Sequence, residues 1–129
     1  MKLLCLTMAL VAGFSPAFSQ ELTIHCIDVG WGDCTLIESP SGKNMMVDTG
    51  RPGSSSRLVA YLDSIGVSHL DYLVTTHYHE DHIGGLYAIV DDGVAIDTAY
   101  DREWYYCSDR YDERYEPVIR DIRHTISDS

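Results

Sequence analysis

An α+β fold is the expectation for this chain, and three features carry it. Short runs of β-forming residues separated by Gly, Pro, Ser and Asp turns crowd residues 22–48, a helical apolar pattern follows at 57–65, and residues 71–76, where adjacent apolar and β-branched residues dominate, read as a buried strand. With 45% hydrophobic residues in 129, there is material for one compact core, not for a multidomain machine or a low-complexity polymer. The balance of 9 Lys and Arg against 20 Asp and Glu, a formal charge of −11, argues against a surface built to grip nucleic-acid phosphates.

The first residues read as a targeting signal. Lys2 gives a positive start, residues 3–14 are almost wholly apolar, and Ala17-Phe18-Ser19 places small side chains at the two positions that a signal peptidase reads. About twelve apolar residues are too few to cross a bilayer core of roughly 30 Å, and Gly13, Ser15 and Pro16 break the run, so no stable membrane anchor is expected. The expectation is a signal peptide over residues 1–19, cleavage after Ser19, a secreted or periplasmic destination, and a domain over residues 20–129. Cys5 leaves with the peptide. Cys26, Cys34 and Cys107 remain, an odd number for an oxidising compartment. A hairpin centred on Trp31-Gly32 would set Cys34 opposite Val29 and Cys26 opposite Ile37, a register that argues against a bridge between them, and all three fit equally well as small buried hydrophobes.

Taken in order, residues 22–29 form a first strand, Gly30-Trp31-Gly32-Asp33 turns, and residues 34–38 return as its hairpin partner. Ser39-Pro40-Ser41-Gly42-Lys43 is a second turn, and residues 44–48 make a third antiparallel strand ending at Thr49-Gly50. A loop with Pro52, Gly53 and three serines leads to a helix at 57–65, with Ser55 or Ser56 as N-cap, Leu58, Val59, Leu62 and Ile65 as its apolar stripe, and Gly66 as its stop. The buried strand at 71–76 comes next, then a short helix at 83–90, a strand at 94–100, and a final amphipathic helix at 111–127 carrying Tyr111, Tyr115, Val118, Ile119, Ile122 and Ile126 on one face. The acidic, aromatic-rich run at 101–116 reads as a solvated loop entering that helix, ahead of the alternative of a substrate-binding lip.

The chemistry-bearing feature follows the buried strand directly: His77-Tyr78-His79-Glu80-Asp81-His82. Such an H-x-H-x-D-H pattern should arise by chance in on the order of one such chain in ten thousand. In extended backbone His77 and His79 project the same way and can reach one metal ion, while a tighter turn aims Asp81 and His82 at a second beside it. Three imidazoles and a carboxylate suit zinc, with iron or manganese as alternatives. Gly84-Gly85 lets the backbone turn sharply beneath them. His25, His69 and His124, each alone, read as ordinary core or surface histidines.

The segment from Leu73 to Leu86, with Thr75-Thr76-His77-Tyr78-His79-Glu80-Asp81-His82-Ile83-Gly84-Gly85 at its centre, resembles the signature of the metallo-β-lactamase superfamily. His25 to Asp33, with Val47-Asp48-Thr49-Gly50, resembles its competence-protein-like branch, and the match runs over residues 22–86. The resemblance implies an αβ/βα sandwich with a binuclear metal site at one edge. On that likeness His77 and His79 serve the first metal and Asp81 and His82 the second, two zinc ions per complete domain. Asp81 also orients the attacking hydroxide or accepts its proton, Asp48 orients the ligand loop from behind, and Asp33 lies near the same edge. The implied reaction is metal-assisted hydrolysis of an ester, amide or phosphodiester bond, with the branch favouring a phosphodiester over another small-molecule substrate.

The chain departs from the pattern in three ways. Trp31 stands where the branch has Gln, Cys34 stands where it has Ser or Ala, and the family's later ligands, a third His, a bridging Asp and a last His, have no counterparts beyond His82, where only His124 occurs and is not taken as a ligand. The leading expectation is therefore the N-terminal part of a secreted metallohydrolase, too short for the full sandwich and weak in metal binding and turnover on its own. The alternative is a non-catalytic metal- or partner-binding half-domain, whose uncovered sheet face would call for a partner or a homo-oligomer.

Overall fold

The computed structural model describes residues 21–101 and 123–125. Its centre is one six-stranded sheet whose strands lie side by side in chain order: β1 (Thr23–Cys26), β2 (Thr35–Glu38), β3 (Asn44–Val47), β4 (His69–Val74), β5 (Ala95–Asp101) and β6 (Arg123–Thr125). The first three strands pair antiparallel, and β3 to β6 run parallel. The sheet is mixed and carries helices α1 (Ser55–Ile65), α2 (Glu80–Ile83) and α3 (Leu86–Asp91), so the α+β expectation holds. The signal-peptide span and Cys107 lie outside the described residues.

Register explains where the core sits. Leu36, Met46, Leu73 and Ala99 lie in one row across β2 to β5 and are essentially without solvent exposure. His25, next in that row, bonds through Nδ1 to Tyr61 Oη of α1 at 2.8 Å, which puts α1 on this face. Leu58 and Leu62 of α1 complete the layer, each contributing roughly 1.5–3 kcal/mol by leaving water. The neighbouring row on the other face, Ile24, Ile37, Met45, Tyr72 and Thr98, ranges from half-buried to exposed.

The helix after the serine loop starts two residues earlier than expected, at Ser55, because Pro52–Ser54 form a 3-10 turn that leads straight into it. Ser54, now in the capping position, spends its hydroxyl on the Arg51 carbonyl instead of a helix amide. Gly66 closes the helix as expected, at φ 75°. Its amide donates to Asp63, and Val67 donates to Leu62, the paired bonds of a Schellman ending with Val67 and Leu62 both in the core.

Four expectations need correction. The β1–β2 hairpin pairs Cys26 with Thr35 and Ile24 with Ile37, because residues 27–34 form a wider connection than the four-residue turn assumed. Cys26, which also fitted a small buried hydrophobe, is exposed, while Cys34 is buried and both thiols are free, in line with the argument against a bridge. The helix expected at 83–90 is two short helices, since the Gly85 amide leaves the helical ladder to bond the Gly50 carbonyl at 3.1 Å. Residues 123–125, expected within the terminal helix, form β6 against β5 with His124 opposite Tyr100. Here pairing with the β5 edge outweighs the helical apolar spacing. The remainder of that expected helix, and the acidic run beyond Asp101, lie outside the described residues.

Candidate metal centre

Three connections meet at one edge of the sheet. The segment between β1 and β2, the residues just after β3, and the segment after β4 all emerge there, bringing Asp33, Asp48 and the histidine motif together. Backbone bonds lace them: Asp33 N–H to the Asp81 carbonyl at 3.3 Å, Gly50 N–H to Asp33 at 2.9 Å, and Thr49 N–H to His82 at 2.6 Å. Glycine is required where these segments touch. A Cβ on Gly32, at φ 116°, would sit 2.0 Å from the Asp81 carbonyl oxygen.

Asp48 is the hub. It is 2% exposed, stands at φ 56°, and accepts from the Thr76 amide at 2.8 Å, the Thr76 hydroxyl at 2.6 Å and His82 Nδ1 at 2.8 Å. These bonds fix protons beyond it. A carboxylate only accepts, so His82 carries a proton on Nδ1, and in the neutral ring Nε2 would hold the lone pair. The Thr76 hydroxyl gives its one proton to Asp48, so His77 Nδ1, 3.1 Å from that oxygen, must be the donor there. In the neutral ring His77 Nε2 would hold the lone pair too. Asp48 thus reaches one imidazole directly and the other through Thr76, a position suited to orienting metal ligands.

The motif residues lie beside one another in pairs. Tyr78 turns into the core at 4% exposure, so its neighbours His77 and His79 project the other way, with His77 Nε2 and His79 Nδ1 3.1 Å apart. The His77 ring centroid lies 3.8 Å from that of His82 and 4.6 Å from that of His79. Asp81 Oδ2 lies 3.8 Å from His82 Nε2 and accepts the Trp31 indole N–H at 3.0 Å. The donors form two adjoining pairs, His77 with His79 and Asp81 with His82. Asp33 holds the edge through its backbone, while its mostly exposed carboxylate stays 3.7 Å from His82 Nδ1, beyond hydrogen-bond range.

Protonation matches ligation. Burial, with the neighbouring His82 and His79, holds the His77 imidazole below the ordinary histidine value. Burial acts to raise the Asp81 carboxyl, but its own backbone amide, His82, the Trp31 indole and His79 outweigh this and hold it below the usual carboxylate range. A neutral imidazole and an ionised carboxylate are the forms that bind cations, so these side chains could hold a metal ion. Beside them, burial and the Asp48 charge push the Cys34 thiol up to about 12, the behaviour of a packing residue.

Sequence reasoning missed Thr76, whose only signal was a hydroxyl beside the first histidine, and gave Trp31 no bonding role. Among the described residues, the group of three whose donor atoms all lie within 4.8 Å of one another is a different one, His69, Asp71 and Asp97, near the opposite ends of β4 and β5. The Lys43 ammonium and the Asn44 amide already occupy the two Asp71 oxygens, and His69 Nε2 lies 2.9 Å from Asp97 Oδ1, so the donors of this group already have partners.

The metallo-beta-lactamase superfamily model matches residues 27–127. Over 64 residues the chain is 39% identical to the beta-lactamase-like protein 2 homolog of Caenorhabditis elegans, covering 47% of this chain and 21% of that protein. Over 98 residues it is 29% identical to ComE operon protein 3 of Bacillus subtilis (strain 168), covering 63% of this chain and 13% of that protein. The match therefore spans about a fifth or less of either relative's length. A family match across most of the chain, over a mixed sheet that gathers a histidine–aspartate motif at one edge, establishes that the chain belongs to the metallo-beta-lactamase superfamily.

Proposed function

We propose that this chain supplies the His77, His79, Asp81 and His82 part of a binuclear, zinc-type hydrolytic centre acting on ester, amide or phosphodiester bonds. Superfamily membership supports a metal-dependent hydrolase. The observation that carries the reading is the Asp48 hub, which bonds His82 Nδ1 directly and reaches His77 Nδ1 through Thr76, so that in the neutral rings both Nε2 atoms would be free to bind a cation beside Asp81.

Two cations bound at such a site lower the pKa of water toward neutrality and polarise the bond under attack. The chain's residues do the rest. His77 and His79 would hold one cation and Asp81 and His82 the other. Asp48 fixes the ring orientation of His82 through its Nδ1 proton and that of His77 through Thr76. The Asp81 carboxylate accepts the proton of the attacking water on its oxygens. Among the candidate bonds, the resemblance of residues 25–33 and 47–50 to the competence-protein-like branch favours a phosphodiester.

Titrating the chain with Co2+ and Zn2+, beside a variant carrying His77→Ala and His79→Ala, tests this reading. The expected result is histidine-dependent uptake that falls at least about tenfold in the variant. Equal uptake by both chains would show that the motif does not bind metal. The N-terminal pattern of Lys2, the apolar run and Ala17-Phe18-Ser19 supports export, and intact mass spectrometry of chain from an exporting host is expected to find Gln20 first. Retention of Met1 in the exported chain would overturn it. Among the described residues no helix is long and apolar enough to cross a membrane.

A further inference from the structure

We propose that Trp31 is a positioning residue for Asp81: its indole N–H, reaching from the connection between β1 and β2, fixes the orientation of that carboxylate toward the metal pair. The inference rests on the metal reading above.

The indole donates from Nε1 to Asp81 Oδ2 at 3.0 Å, bridging fifty positions of sequence. The turn carrying it is fastened on both sides. Gly30 N–H donates to Asp28 Oδ1 at 2.9 Å, Arg57 holds the Asp28 carbonyl at 3.0 Å and its carboxylate at 3.2 Å, and Asp33 N–H reaches the Asp81 carbonyl at 3.3 Å. Gly32 lies so close to Asp81 that no other residue fits without displacing backbone. Trp31 is thus braced against Asp81 through main chain and side chain together.

Packing does not account for Trp31. The residue is 75% exposed and buries little apolar surface, so its specific attachment is the Asp81 bond. That bond engages one carboxylate oxygen. A carboxylate on a short side chain otherwise turns about χ2 over a broad range, and restricting it lowers the ordering cost of binding a cation. Outer partners of this kind commonly change metal affinity by about tenfold or more.

The test compares the chain with Trp31→Phe, which keeps an aromatic ring but loses the donor, and Trp31→His, which keeps a ring N–H. Co2+ titration followed by visible absorption is expected to show about tenfold weaker binding and a shifted ligand-field band in Trp31→Phe, with partial recovery in Trp31→His. Thermal midpoints of all three should coincide within about 2 °C, because little burial is lost. In the metal-free chain, the Trp31 indole N–H resonance is expected to move upfield when Asp81 is replaced by alanine. An unmoved resonance, or an unchanged affinity and spectrum in Trp31→Phe, would overturn the assignment while leaving His77- and His79-dependent uptake intact. Absence of even weak, histidine-dependent Co2+ uptake by the parent chain would instead overturn the metal reading, and this inference with it.

Discussion

Asp48 has to meet two demands at once: a left-handed backbone conformation and three accepted hydrogen bonds in a site with almost no solvent. Asp48→Asn keeps the backbone tolerance but turns an N–H2 toward donors. It is expected to lose about 1–3 kcal/mol of stability by urea unfolding and about 10- to 100-fold in Co2+ affinity. A variant as stable and as tight as the parent would contradict the hub role. The two cysteines make a second residue-scale prediction. With its thiol near 12, Cys34 is only about one part in ten thousand thiolate at pH 8, so iodoacetamide should label exposed Cys26 in the native chain and Cys34 only after unfolding. Peptide mass spectrometry reads the difference, and rapid native labelling of Cys34 would refute it. Asp48 could be picked out through the family resemblance of Val47-Asp48-Thr49-Gly50. Thr76 could not, because its role exists only once residue 48 is folded against it.

At the scale of elements, glycine contacts separate the segments that pattern reading captured from those it did not. Gly85 has helical dihedrals, so alanine there should gain about 1 kcal/mol of helix propensity. Its Cβ, however, would meet the Thr49 carbonyl oxygen at 2.2 Å, and that backbone is already tied to His82. Overlap with main chain wins, and Gly85→Ala is expected to lose about 2–3 kcal/mol. Gly66→Ala has open space and should lose only about 1–2 kcal/mol, for its left-handed conformation alone. Urea unfolding of both variants checks the order, and a Gly85→Ala chain more stable than Gly66→Ala would reverse the argument. The same contrast explains legibility. The helix ending at Gly66 could be read because its stop signal is local. The break at Gly84-Gly85 and strand β6 could not, because each depends on a partner, Gly50 or β5, more than twenty residues away.

Across the whole molecule the parallel strands carry different chemistry at their two ends. The α+β class and the clustering of the motif at a strand end were readable from local pattern, whereas the Lys43–Asp71 pair at the other end was not, because its members lie on segments that approach only when β3 and β4 pair. That pair makes a testable contribution to acid stability. The Lys43 side chain, and after it the Asn44 amide, hold the Asp71 carboxyl below the usual range against the opposing effect of burial. In the unfolded chain an aspartate titrates near about 3.9. A group whose folded value is depressed stabilises the fold above its unfolded value, and that contribution disappears as pH falls through the folded one. The bulk charge of −11 complicates a direct pH scan, since protonating exposed carboxylates relieves repulsion over the same range. Subtracting Asp71→Asn removes this shared background. The parent is expected to melt above Asp71→Asn by a constant margin from pH 7 to about 5, and the margin should shrink below about pH 4. Circular dichroism melts of the two chains at matched pH measure it, and a margin unchanged down to pH 3 would show that Asp71 titrates in the folded chain as it does in the unfolded one.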